Sequence, residues 1–228
     1  MRRLNLFLKR TFDIFVSAVA ILIFTVIPVL IIAPILIKLT SKGPAIFTQT
    51  RIGKDKKPFV IYKFRTMIAE QYDKDGVEIM SEKRITKIGK ILRKTSLDEL
   101  PQLFNVLNGT MSIIGPRPML DYQAPRCIGE ENLRFEMRPG ITGLAQVKGR
   151  NNIQWEERIQ YDIEYVKTFT FWKDMVILFK TVFLVLKKQG TEVKPEYRAI
   201  SRFSKHYVPE EHENEELQKA DITNTQER

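Results

Sequence analysis

Two adjacent carboxylates, Asp98 and Glu99, stand in the run Thr95-Ser96-Leu97-Asp98-Glu99-Leu100-Pro101-Gln102-Leu103. Pro101 sits without penalty only in the first turn of a helix, so both carboxylates are expected at a helix start. Free backbone N–H groups and the positive end of a helix favour the ionised form and also attract phosphate. An ionised aspartate there is a competent nucleophile toward phosphorus. The same residues equally fit ordinary capping, with Ser96 or Asp98 as N-cap and Glu99 as the partner in a capping box.

Cations follow in turn-forming sequence. In Gly115-Pro116-Arg117-Pro118 two prolines bracket one arginine and restrict its backbone, and a pre-positioned guanidinium suits bidentate contact with phosphate. Arg138-Pro139-Gly140-Ile141-Thr142-Gly143 and Gln146-Val147-Lys148-Gly149-Arg150-Asn151 put three more basic residues into glycine-bearing loops able to hold a pyrophosphate, or simply to turn the chain. Neither loop has the glycine spacing of a dinucleotide fold or a P-loop. In Gln160-Tyr161-Asp162-Ile163-Glu164-Tyr165-Val166, helical spacing puts Asp162 and Tyr165 on one face, where Asp162 meets either a ligand or a basic loop in a structural ion pair.

What is scarce narrows the chemistry further. Cys127 is the single cysteine, which excludes an internal disulfide and a Cys-rich metal site. Both histidines, His206 and His212, fall in a polar tail, so a Ser-His-Asp triad, a Cys-His pair and a His-ligated zinc are excluded from the body. Proton transfer or nucleophilic attack then falls to carboxylates, Lys or Tyr. The chain carries a net +10, and residues 205–228 hold seven acids against three bases, leaving residues 1–204 at +14. Such a body suits any polyanion: nucleic acid, an anionic membrane surface or a phosphorylated substrate. No helix-turn-helix or zinc-finger pattern supports nucleic acid as a partner.

The elements that must position these groups start with residues 14–37, which carry no charge. As one straight helix they extend about 36 Å, enough to cross a bilayer. Arg2, Arg3, Lys9 and Arg10 precede the run and Lys38, Lys42, Arg51 and Lys54 follow it, so both ends read as cytoplasmic. Pro28 and Pro34 interrupt the run, and a bent, re-entrant helix pair reconciles prolines and flanks; a kinked spanning helix is the alternative. Ser17 and Thr25 are the hydroxyls available to carbonyls freed at a bend. Residues 45–52 and 59–67 read as a β-hairpin around a turn at 53–58, with Lys63 and Arg65 on one face. Residues 83–107 read as two helices with a break near 95–101, and residues 169–188 as an amphipathic helix that packs on the domain or lies in the membrane interface. From about residue 204 the chain reads as disordered.

The order Tyr62-Lys63-Phe64-Arg65-Thr66-Met67, Ser96-Leu97-Asp98-Glu99-Leu100-Pro101-Gln102, Gly115-Pro116-Arg117-Pro118 and Arg138-Pro139-Gly140-Ile141-Thr142-Gly143 closely resembles the bacterial sugar transferase family, the monotopic phosphoglycosyl transferases. The resemblance runs from about residue 9 to about residue 188 and is to the small, minimal members. It implies an α/β fold: an N-terminal re-entrant membrane helix over 1–40, a compact cytoplasmic catalytic domain over 41–203 with a small β-hairpin and interfacial amphipathic helices, and an acidic tail over 204–228. It implies transfer of a sugar 1-phosphate from a UDP-sugar to polyprenyl phosphate with release of UMP, at the cytoplasmic face of the bacterial inner membrane. Enzymes that extend the lipid-linked sugar are the implied downstream partners. By the same resemblance Asp98 is the nucleophile and Glu99 helps bind Mg²⁺. From the residues themselves, Lys63, Arg65, Arg93, Arg117, Arg138, Arg150 and Asp162 are the expected substrate-binding residues. The family breaks its membrane helix at a Ser-Pro pair; this chain keeps the proline, in Ile27-Pro28, and lacks the serine. A transferase of sugar alone, which releases UDP, and a non-enzymatic membrane scaffold are the competing readings.

Overall fold

The computed structural model describes residues 2–68, 83–149, 153–187 and 203. The disorder expected from residue 204 onward lies outside them. The described residues form a mixed helix and sheet structure with two small two-stranded sheets, and the chain divides into two compact units.

The first unit comprises residues 1–49, 60–113 and 182–189. It opens with helix α1 (Arg2–Val26) and helix α2 (Val29–Thr40), bent by 60° at the break between them. Among the described residues no single helix is long and apolar enough to cross a membrane; the bent pair passes that test together. The bend falls at Ile27-Pro28, where the sequence placed it. Thr25 spends its hydroxyl on Ile21 O within its own helix (2.8 Å), while Ile31 and Ile32 N–H donate to Pro28 O at 3.1 and 2.8 Å. Pro28 O is thus the first carbonyl of α2 to be satisfied by main chain, and the Thr25 hydroxyl, which the sequence offered to carbonyls freed at the bend, is spent one turn earlier.

Helix α1 is inside out for a water-soluble packing. It buries Lys9, Asp13 and Ser17, one residue per turn on a single face, and exposes Phe7, Phe15, Leu22 and Val26. The buried face docks on helix α4 (Gln102–Leu107) and strand β3 (Ser112–Ile114). Arg10 donates to Val106 O and Leu107 O at 2.7 and 3.0 Å, capping the last carbonyls of α4, and Asp13 accepts from Ser112 Oγ at 2.8 Å and Ile113 N at 3.1 Å. The charges that read as membrane flanks in the sequence thus also pin α1 to the rest of its unit.

The hairpin appears as strands β1 (Ile46–Ile52) and β2 (Pro58–Phe64). Residues 46–49 and 60–64 belong to the first unit, and residues 50–59, with the turn, to the second. Asn105 locks β2 to α4: its Nδ2 donates to Val60 O at 2.7 Å and its Oδ1 accepts from Tyr62 N at 3.1 Å. Helix α3 (Lys87–Thr95) is capped by Thr86, whose Oγ1 accepts from Gly89 N at 2.9 Å. Gly89 is required by proximity, because a Cβ there would lie 2.0 Å from Thr66 O. Ala33, Ile37, Ala45, Phe64 and Leu92 close the apolar core of this unit.

The second unit comprises residues 50–59, 114–181 and 190–228. Its core joins Met119, Ala124, Cys127, Phe135, Ile159, Ile163 and Phe203. Cys127 is therefore a buried apolar residue, as its type alone suggests. Strand β4 (Gly140–Thr142) runs beside residues 114–116, with Gly115 N donating to Thr142 O and Gly140 N to Pro116 O, each at 2.9 Å. Helices α5 (Leu144–Lys148), α6 (Trp155–Lys167) and α7 (Phe171–Leu186) follow, α7 belonging to this unit as far as residue 181. Tyr165 on α6 donates to Asp174 on α7 at 2.9 Å, both groups buried, while Trp172 and Phe179 on α7 remain exposed.

Candidate active site

The break between α3 and α4 builds the carboxylate cluster. Helix α3 ends at Ser96, which takes the left-handed conformation (φ 58°), and a single 3₁₀ turn, Leu97–Glu99, carries the chain to Pro101 at the start of α4. A serine held left-handed costs on the order of 1 kcal/mol or more, and such positions cluster at functional sites. Neither Ser96 nor Pro101 makes a side-chain cap. Ser96 terminates α3, so the N-cap and capping-box reading of Ser96 and Glu99 is not realised.

Glu99 pairs with Lys63 of β2 at 2.6 Å, both side chains about one-fifth exposed. Arg93, on the last turn of α3, donates through Nε to Thr66 Oγ1 at 2.8 Å. Asp98 makes no ion pair among the described residues. Its environment contradicts the expectation that the helix start favours ionisation: burial first, and the Glu99 charge second, push its carboxyl up to about 6, against the pull of Lys63 and Arg93. The free N–H groups of a one-turn segment do not outweigh lost solvation. The result is a carboxylate poised near neutral pH between one acid and two bases.

Among the described residues no group of three or more His, Cys, Asp or Glu side chains stands ready to enclose a metal ion. Mg²⁺ does not need one, since it keeps several waters and takes one or two carboxylates together with substrate phosphates. Glu99, whose charge helps raise the neighbouring Asp98 carboxyl, is a carboxylate of the kind that fits such an ion.

In the second unit the cations crowd. Arg134, almost wholly buried, donates through Nη2 to Asp162 Oδ2 at 2.6 Å and to Arg117 O at 2.8 Å. Asp162 is thus in the buried ion pair that the sequence left open; burial pushes its carboxyl upward, and Arg134, Arg158 and Arg117 pull it back. Arg158 is pushed down to about 10, first by burial and next by Arg117, and Arg51 is pushed down to about 10 in the same order. A half-buried patch holding this many guanidinium groups is electrostatically prepared for an anion.

The expected site residues therefore fall into two sets. The first unit brings together Lys63, Arg93, Asp98 and Glu99. Arg65 lies in the same unit with its guanidinium on the end of α2, where it donates to Ser41 O (2.9 Å), Ser41 Oγ (3.0 Å) and Lys42 O. Lys63 and Arg65 thus serve different partners, because β2 ends at Phe64 and the alternation stops with it. The second unit brings the Arg117 loop beside Arg138-Pro139-Gly140, so close that a Cβ on Gly140 would lie 2.1 Å from Gly115 N. Close approach of main chain, rather than turning alone, explains these glycines. Arg138 is exposed, and Arg150 lies outside the described residues. Sequence reasoning missed Arg134 and Arg158, for which no local pattern stands out, and took Arg51 only as a flanking charge.

Comparison with known proteins assigns the chain. The bacterial sugar transferase family model matches residues 4–188, and the chain belongs to this family. An undecaprenyl-phosphate galactose phosphotransferase of Salmonella typhimurium is 41% identical over 211 residues, covering 83% of this chain and 42% of that protein. A UDP-glucose:undecaprenyl-phosphate glucose-1-phosphate transferase of Klebsiella pneumoniae is 43% identical over 189 residues, 79% of this chain and 40% of its own length. The chain thus spans about two-fifths of these relatives. The sugar transferase EpsL of Bacillus subtilis is 43% identical over 185 residues, with 81% of this chain and 90% of that protein aligned.

Proposed function

We propose that the chain transfers a sugar 1-phosphate from a UDP-sugar to a polyprenyl phosphate, with release of UMP. The observation that carries this reading is Asp98: a carboxylate with no ion pair among the described residues, beside Glu99, Lys63 and Arg93. In the first step a carboxylate oxygen of Asp98 attacks the β-phosphorus of the UDP-sugar. The Asp98–phosphorus bond forms, the bond from that phosphorus to the bridging oxygen breaks, and UMP leaves with the electron pair. In the second step a phosphate oxygen of the polyprenyl phosphate attacks the same phosphorus and releases Asp98. Lys63 and Arg93 offset charge around the carboxylates. In the second unit, taken by itself, Arg117 binds phosphate oxygens of a uridine nucleotide. Mg²⁺, held by Glu99, would neutralise charge on the diphosphate. The names of the Salmonella and Klebsiella relatives support the reaction class.

A lipid acceptor calls for a membrane surface, and α1 supports that reading with polar residues inward and Phe7, Phe15 and Leu22 outward. We place the bent pair α1–α2 as a re-entrant anchor in the bacterial inner membrane, with the catalytic residues on the cytoplasmic face. The product would pass to enzymes that extend the lipid-linked sugar.

The test is nucleotide release by the purified full chain with UDP-glucose or UDP-galactose, undecaprenyl phosphate and Mg²⁺. UMP release that disappears in Asp98→Asn is the expected result. UDP release would indicate transfer of the sugar alone, and full activity in Asp98→Asn would sink the covalent route.

A further inference from the structure

The loop Gly115-Pro116-Arg117-Pro118 is held more firmly than a turn requires. Its three successive carbonyls each accept from a different part of the second unit: Pro116 O from Gly140 N at 2.9 Å, Arg117 O from Arg134 Nη2 at 2.8 Å, and Pro118 O from Arg51 Nη1 at 3.3 Å. Two prolines already restrict φ on either side of Arg117. The main chain that carries this one guanidinium is thereby fixed at every link.

Stability does not account for the arrangement. Arg134 and Asp162 are 2% and 1% exposed, and a buried ion pair is often no better for stability than packed apolar residues of similar volume. Nε and Nη1 of Arg134 are buried without partners among the described residues, an added cost. What the pair supplies is a donor aimed at one carbonyl. Arg117 also sits close enough to Arg51 and Arg158 for their charges to oppose one another, so a mobile side chain on a loose loop would swing away from them.

We propose that Arg134, anchored by Asp162, and Arg51 are positioning residues that preset Arg117 for the phosphate oxygens of a uridine nucleotide. This rests on the reading above in which Arg117 binds those oxygens. Asp162 then acts through Arg134 and does not touch the substrate.

The experiment is a double-mutant cycle on the full chain, with the dissociation constant of UDP measured by calorimetry and thermal unfolding recorded in parallel. Arg117→Ala and Arg134→Met each weaken UDP binding by roughly 10- to 100-fold, the range expected when a binding group is misplaced by about 1 Å. The double variant is no weaker than Arg117→Ala alone, because Arg134 contributes only through Arg117. Arg134→Lys, which keeps a donor near the same carbonyl, recovers most of the affinity. Arg51→Met leaves the buried ion pair intact and is judged on the same cycle if Arg134→Met does not fold. Losses that add, or UDP binding within twofold of wild type in both folded single variants Arg134→Met and Arg51→Met, overturn the positioning role. Unchanged binding in Arg117→Ala, or no UDP binding by the wild type, removes the role of Arg117 itself and this proposal with it.

Discussion

At Asp98 the useful state and the stable state differ. Its carboxyl is raised from 3.8 to about 6, so the folded protein holds the proton more tightly than the unfolded chain does. The associated stability is present below pH about 4 and is lost as pH rises through about 6, where the buried charge forms; at about 1.4 kcal/mol per unit the penalty at neutral pH is up to about 3 kcal/mol. Asp98→Asn should therefore raise the melting temperature at pH 8, and the gain should vanish by pH 4; equal melting temperatures at pH 8 would remove the burial argument. Activity should run the other way, since attack needs the ionised form. Initial rates of UMP release should fall about tenfold between pH 7 and pH 5, with a midpoint near 6. A profile flat over that range would exclude Asp98 titration from the rate. Asp98→Asn removes this pH dependence together with the activity, whereas Lys63→Met should shift the midpoint upward, because Lys63 pulls the carboxyl down.

Among the elements, α3 makes the sharpest case for tertiary structure overriding local preference. Gly89 lies near the start of a helix, and helix propensity alone gives Gly89→Ala a gain of about 1 kcal/mol. The structure gives the opposite sign: the new Cβ would meet Thr66 O at 2.0 Å, so the helix or the segment around Thr66 must shift, at a cost of about 1–3 kcal/mol. Thermal unfolding of Gly89→Ala decides between them, and a stabilised variant would mean that this close approach is wrong. The apolar periodicity of 83–107 was enough to place α3 and α4 and the break between them, and the β-prone runs located the hairpin. The partners of single polar groups were not legible, because they depend on contacts far apart in the chain. Arg65 shares its strand pattern with Lys63 yet donates to Ser41 and Lys42, and Arg134 carries no motif but holds Arg117 and Asp162. The direction of the shift at Asp98 was misjudged for a related reason: a helix-start argument counts neighbouring N–H groups and leaves out burial, which raises the carboxyl to about 6 and still leaves it ionised at neutral pH.

For the molecule as a whole, the first unit bears on how the chain meets a bilayer, because both ends of the hydrophobic run are tied to that same unit. Arg10 and Asp13 fasten α1 to α4 and β3, and Arg65 fastens the end of α2 through Ser41 and Lys42. Helix α2 has 12 residues, about 18 Å, against the roughly 30 Å of a hydrocarbon core, and α1 beyond Ser17 is shorter still. Neither arm crosses alone, and a straight span would require one set of ties to break. The wild-type chain should therefore keep its N-terminus on the cytoplasmic side. In intact cells a membrane-impermeant thiol reagent should fail to label Asn5→Cys until the cells are permeabilised; labelling from outside would establish a spanning helix and end the re-entrant proposal. Asp13→Ala with Pro28→Ala removes an anchor and the break together, so part of that double variant should become labelled from outside. Pro28→Ala alone should respond far less, because its ends remain fastened.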